Sequence, residues 1–105
     1  MMLVFSTFPN DEKAREIVRV LVDEQLIACG NILPPMRSIY RWKGAVHDES
    51  EVLAILKVAR SGYAVLQARL HELHPYELPE IIAVDVGAGL PSYLDWVREN
   101  SSPVL

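Results

Sequence analysis

An imidazole, a phenol and two carboxylates crowd into one short stretch, Leu73-His74-Pro75-Tyr76-Glu77-Leu78-Pro79-Glu80-Ile81-Ile82. Pro75 and Pro79 each disfavour the helical region for the residue before them, so His74 and Leu78 are expected to be extended and the turn to be stiff. A stiff backbone limits where the His74 ring can point, and Glu77 is close enough in sequence to orient it. That combination suits a metal ligand or an acid/base pair. The plainer alternative is that His74 bonds a carbonyl or Glu77 and only fastens the turn. His71 makes a His-x-x-His spacing with His74, but the proline interrupts their common helical face, and His71 is read as a solvated helix residue.

Other side chains with chemical potential are scattered. Cys29 follows Ile27-Ala28 in an apolar run, where a free cysteine behaves as a small buried hydrophobe; as a thiolate it would instead be a ligand for a borderline ion such as copper, with His74 as a second ligand. Sequence alone does not place the two side by side. Lys57 interrupts an apolar strand, so its charge either snorkels out or is held for a ligand or an acidic partner. Arg37, Arg41 and Lys43 form a basic stripe, by default a solvated face. Tyr40 and Trp42 share the opposite face of that segment and read as anchors for a partner surface. No nucleophile elbow, P-loop, dinucleotide fingerprint or metalloprotease helix is present, and nothing in the sequence demands an enzyme.

These residues need a frame. Leu3 to Phe8 reads as a first strand, Asn10 as the N-cap of an amphipathic helix running to about Gln25, and Leu26 to Leu33 as a second strand broken by Pro34-Pro35. Met36 to Lys43 alternates as a strand, Gly44 to Glu51 is polar and turn-like, and Val52 to Ala59 is apolar enough for a strand buried on both faces. Together they predict a long hairpin that projects from a small core and exposes Tyr40, Trp42 and open strand edges. Tyr63, Leu66, Leu70 and Leu73 mark a second helix, Ile81 to Val86 another strand, and Pro91 the first turn of a short closing helix; the tail from Asn100 is expected to fray. The order strand, helix, strand, strand, helix, strand, helix predicts an α+β fold of the ferredoxin-like split βαβ type: an antiparallel sheet with both main helices on one face. The other face is left for a neighbour.

Composition sets the outer limits. The chain of 105 residues fits one domain, spanning 1–105, and a chain so short leaves much of its surface exposed when it folds alone. A net charge of −4 lacks the basic footprint of a nucleic-acid binder. No apolar run approaches the roughly 18 residues of a membrane span, and the first residues carry no basic leader, so the expected location is cytoplasmic. One cysteine forms no internal disulfide and no multi-cysteine zinc site, so any metal site is sparse or shared between chains.

Several blocks carry a resemblance: Leu26-Ile27-Ala28-Cys29 with Asn31-Ile32-Leu33-Pro34; Ser38-Ile39-Tyr40-Arg41-Trp42-Lys43-Gly44; Glu72-Leu73-His74-Pro75-Tyr76-Glu77 with Pro79-Glu80-Ile81; and Tyr93-Leu94-Asp95-Trp96. Over nearly its whole length the chain resembles the CutA1 family, the divalent-cation tolerance proteins. The resemblance implies a ferredoxin-like domain assembled as a homotrimer similar to the PII signalling proteins, with long hairpins pairing between subunits. It also implies a link to copper tolerance, with copper or another divalent cation bound weakly. Carried over by position, Cys29 and His74 look like that family's metal contacts, and Tyr40, Trp42, Lys57, Tyr76, Glu77 and Glu80 like its inter-subunit cleft and interface. This chain has Leu73 and Ser6 where certain relatives have histidine and cysteine, which removes two soft ligands. The expected function is a trimeric, non-enzymatic copper-binding protein of metal tolerance. The alternative is a PII-like signalling or scaffold trimer that takes a small anionic ligand through Lys57 and the hairpin arginines.

Overall fold

The structure, a computed structural model, describes residues 1–102. Strand β1 (Met2–Phe8) leads into helix α1 (Asp11–Asp23), whose N-terminus is capped by the Asn10 side chain accepting the Lys13 N–H at 2.8 Å. Ala14, Ile17, Val18 and Leu21 form the buried face of α1, while Asp11 and Glu12 meet the positive end of its dipole. The helix stops at Gln25, which takes a left-handed φ of 59° and lets the Leu26 N–H reach back to the Leu21 carbonyl at 3.0 Å. That is a Schellman-type ending without its usual glycine.

The remaining elements are β2 (Cys29–Ile32), β3 (Met36–Trp42), β4 (Ala45–Val58), α2 (Tyr63–Leu73), β5 (Ile82–Asp85) and α3 (Pro91–Asn100). The strands run antiparallel in the order β2-β4-β1-β5, and β3 continues along the β4 edge beyond β2. The ferredoxin-like α+β architecture expected from the element order is the one found. Val4, Phe8, Val52, Ala54, Leu56 and Val58 point to the helix side, where they meet Leu21, Leu66 and Leu70 in a core almost without exposure. On the other side Leu3, Phe5, Leu53 and Ile55 are half-buried, and Ile82 and Val84 are exposed. β4 is therefore covered on one face within the chain, not on both.

Three sequence-based boundaries shift. Leu26 and Ile27 are core residues, but they lie in the turn after α1, and β2 begins only at Cys29. Ala45 to Glu51 is strand, paired residue for residue with β3 from Trp42↔Ala45 to Met36↔Glu51. Only Lys43 and Gly44, at φ 50° and 81°, make the turn. Polar residues on both sides of an uncovered arm hide the alternation that marks a strand. At the C-terminal end, Ser101 is buried: its hydroxyl donates to the Val97 carbonyl at 2.6 Å and accepts the Ala59 N–H at 2.9 Å. The expected fraying therefore does not begin at Asn100, and the last part of that expectation falls on 103–105, outside the described residues.

The proline pair explains how the arm is aimed. Between Ile32↔Ala54 and Met36↔Glu51, Leu33, Pro34 and Pro35 stand opposite only Val52 and Leu53, so the β2/β3 side carries one extra residue. A bulge of this kind reverses which residues face which side. Cys29 and Asn31 share the open face before it, and Met36, Ser38, Tyr40 and Trp42 share that same face after it. Prolines suit the position because they have no N–H to leave unpaired.

Candidate functional site

The arm and the 75–80 loop enclose a groove of about 870 Å³ on the open side of the sheet. Its floor is Phe5, Thr7, Leu53 and Ile82, one wall is Met36, Ser38, Tyr40 and Trp42 of the arm, and the other is Pro75, Tyr76, Glu77, Leu78 and Glu80. The groove's carboxylates are Glu51, Glu77 and Glu80, and no Lys, Arg or His lines it among the described residues.

His74 sets the loop wall. It closes α2 in an extended conformation, φ −69° and ψ 136°, as the following proline requires. Its ring is buried, stacked on Phe8 at 4.8 Å with an interplanar angle of 19° and tilted against Tyr76 at 4.9 Å. Nε2 lies 2.8 Å from the Thr7 carbonyl, which can only accept, so Nε2 carries the proton; Nδ1 accepts the Tyr76 N–H at 3.1 Å. Burial holds the imidazole below its ordinary pKa, against the opposing pull of the Thr7 carbonyl and Glu51. The ring is thus neutral with both nitrogens engaged, and it works as the clip that fastens the loop to β1. Glu77 is not its orienting partner, because its carboxylate lies 3.5 Å from the Lys43 ammonium at the arm tip.

Tyr76, positioned by that clip, donates its hydroxyl to Glu51 Oε2 at 2.6 Å. Burial, then the Glu51 carboxylate, pushes the Tyr76 phenol well above the usual phenol range, so the proton stays on Tyr76. Partial burial, with Glu51 adding, also raises Glu80. Glu51 is only 8% exposed and sits at the root of the arm, opposite Met36. Further out, Tyr40 donates to Glu49 at 2.9 Å and stacks on His47 at 5.3 Å, while the Lys43 ammonium lies 5.4 Å from the centre of the Trp42 ring.

The structure gathers Tyr40, Trp42, Tyr76, Glu77 and Glu80 around one groove and leaves Cys29 and Lys57 outside it. Cys29 pairs with Lys57 across β2 and β4, and the Lys57 ammonium is 3.6 Å from Cys29 Sγ and bonded to Asn31 Oδ1. Lys57 alternates with the core residues Leu56 and Val58, so it and Cys29 point to the open face, whereas His74 stacks on Phe8 on the helix side. Along β1, Lys57 pairs with Leu3 while His74 bonds Thr7, a further offset of about 13 Å at the usual strand rise. One chain does not bring Cys29 and His74 together. Among the described residues no three His, Cys, Asp or Glu side chains converge on a point that could hold a metal ion.

Glu51 escaped the sequence reading because it lies in a stretch that looked like turn. The signal that finds it is the same-face spacing His47, Glu49, Glu51, Leu53 once Gly44 is taken as the turn. Ser6 is fully buried, and its hydroxyl has no hydrogen-bond partner among the described residues.

Comparison with known proteins agrees with this layout. The family profile described as CutA1 divalent ion tolerance protein matches residues 2–100. The divalent-cation tolerance protein CutA of Thermus thermophilus is 44% identical over 99 residues, covering 94% of this chain and 96% of that protein. Among solved structures, the PII-like protein CutA from Nostoc sp. superposes with a TM-score of 0.92 at 40% identity, covering 99% of this chain and all of that one. The periplasmic divalent cation tolerance protein CutA from Archaeoglobus fulgidus does so with a TM-score of 0.92 at 30% identity, covering 97% of this chain and 100% of that one. With sequence and fold both matched over nearly all of its length, the chain belongs to the CutA1 divalent ion tolerance family.

Proposed function

We propose that the chain works as a homotrimer of PII-like architecture in divalent-cation tolerance, taking up copper or another divalent ion weakly and only at positions built by more than one copy. The observation that carries this reading is the open side of the sheet. Leu3, Phe5, Leu53, Ile55, Ile82 and Val84 form a continuous apolar surface there, flanked by an arm with an unpaired strand edge. A surface of this kind needs a cover. In this reading Cys29, on that face and half-buried, supplies the soft donor, and neighbouring copies complete the set. His74 joins only by releasing the Tyr76 N–H from Nδ1. We assign no catalytic step, and we carry the cytoplasmic location forward as part of this reading.

The groove does not favour the anionic-ligand alternative. It is lined by three carboxylates, Lys57 lies outside it, and Arg37 is taken up by Asp48 at 2.6 Å.

A ligand bound only by the native state raises the melting temperature by mass action. Excess Cu(II) in a chelator-free buffer is expected to raise the melting temperature of the protein, and Cys29→Ser to remove most of that rise. An unchanged melt with copper, or a shift fully retained in Cys29→Ser, contradicts the reading.

A further inference from the structure

We propose that His47 and Glu49 on the arm are the first two ligands of a site for a borderline divalent ion such as Cu(II), its remaining positions filled by water or by a neighbouring copy. The inference rests on the divalent-ion uptake proposed above and gives it a second location, distinct from Cys29. Its first ground is register. The Lys43-Gly44 turn sets Tyr40 opposite His47, and the two-residue period of β4 puts Glu49 on the same side as His47, about 7 Å further along. The His47 ring stacks on Tyr40 at 5.3 Å with an interplanar angle of 15°, and its Nδ1 lies 3.7 Å from Glu49 Oε1. Two donors bound to one tetrahedral ion at the usual distance of roughly 2.0–2.1 Å stand about 3.3 Å apart, so the pair needs to close only slightly.

The second ground is the other oxygen of the carboxylate. Tyr40 donates its hydroxyl to Glu49 Oε2 at 2.9 Å, which fixes Oε2 and leaves Oε1 toward the imidazole. A carboxylate steadied from behind by a hydrogen bond, with a donor atom free in front, is how ligating carboxylates are ordinarily held. The other two histidines lack this setting. His74 has both ring nitrogens engaged, and among the described residues His47 is the one histidine with a carboxylate oxygen within ion-pair distance.

The donor set selects the ion. One imidazole nitrogen favours Cu(II), Ni(II) or Zn(II) over Mg(II) and Ca(II), which take oxygen ligands. A single arm supplies no third ligand. Asp48 points to the opposite side of the strand, where Arg37 holds it at 2.6 Å, and Glu51 lies about 13 Å along the strand from His47. Two ligands hold an ion loosely, and the arm that carries them is a part of the fold that neighbouring copies cover in the proposed trimer. The competing account is a plain His47–Glu49 ion pair, which binds no metal.

The full chain with equimolar copper(II) sulfate in a chelator-free buffer is probed by pulsed electron paramagnetic resonance, in which the remote nitrogen of a copper-bound imidazole modulates the echo. The expected result is imidazole modulation in the wild-type chain, in Cys29→Ser and in His71→Gln, and its loss in His47→Gln. Glu49→Gln keeps the imidazole and is expected to weaken copper affinity about tenfold or more by isothermal titration; it serves alone if His47→Gln does not fold. Modulation that persists in a folded His47→Gln, or an affinity unchanged in Glu49→Gln, overturns the inference. Visible absorption on the same samples separates this site from Cys29. A thiolate-to-copper charge-transfer band without imidazole modulation refutes this inference alone, and modulation that requires His47 without such a band refutes only the role given to Cys29.

Discussion

A single strand passes through two different environments. From Val52 to Val58, β4 buries every second side chain under the helices, with Val52, Ala54, Leu56 and Val58 at 0 or 1% exposure. From Ala45 to Ser50 the same strand has no helix on either side, and Val46 stands 64% exposed. The first half is held by burial of apolar surface, worth about 25 cal/mol per Å². The second half has one ladder to β3, a two-residue turn and exposed ion pairs, and an isolated two-stranded ribbon is marginal in water. Glu51 lies at the boundary between the halves, where the chain passes from a self-sufficient core to an arm that needs company. The groove is a consequence of that boundary.

The largest expected effect tests the covered half. Leu56→Ala is expected to lower the urea unfolding free energy by about 2–5 kcal/mol, as a fully buried leucine does when a cavity is left. Its neighbour Ile55 faces the open side, half-buried in the single chain. Ile55→Ala is expected to act mainly on association, so that its cost grows as protein concentration falls. If Ile55→Ala costs as much as Leu56→Ala at every concentration, the contrast between the two faces fails.

The next effect sharpens the role of His74 as the clip between core and groove. Its folded-state pKa is lowered by burial, so the unfolded chain takes up the proton first. As the pH falls below about 6.5, the unfolded state binds more protons than the native one, and stability declines down to the folded value. Above that window the contribution is complete. Urea midpoints measured across the window are expected to fall with pH in the wild-type chain and less steeply in His74→Gln; identical slopes contradict a neutral, buried ring.

The smallest effect belongs to the arm. Arg37 and Asp48 form a 2.6 Å ion pair, but both side chains are well over half exposed. Arg37→Ala is expected to change unfolding free energy by no more than about 1 kcal/mol. A larger loss, seen in the same denaturation experiment, would mean that the arm's outer face is buried in the assembly.

How much of this was legible in the sequence follows the same division. Elements that rest on the core announced themselves, as with the α1 stripe of Ala14, Ile17, Val18 and Leu21 and the proline-terminated end of α2 at His74. The order of elements was enough to specify the sheet. The Ala45–Glu51 stretch of β4 was misread because an uncovered strand has no buried face to impose alternation, and Glu51 was lost with it. The end of α1 was blurred because Gln25 occupies a position usually marked by glycine. Of the residues named from the family resemblance for a cleft, Tyr40, Trp42, Tyr76, Glu77 and Glu80 line one groove and Lys57 lies outside it. Cys29 and His74 were named from ligand type and from the same resemblance, and neither carries information about which side of a sheet a residue faces in one chain.

The most direct test of the whole picture is the molar mass of the full chain in solution at micromolar concentration, by light scattering or sedimentation equilibrium. A protein that needs copies of itself to cover Ile82, Val84 and the arm is expected to show three times the chain mass of 11.8 kDa. A folded, stable species of 11.8 kDa at that concentration would contradict it.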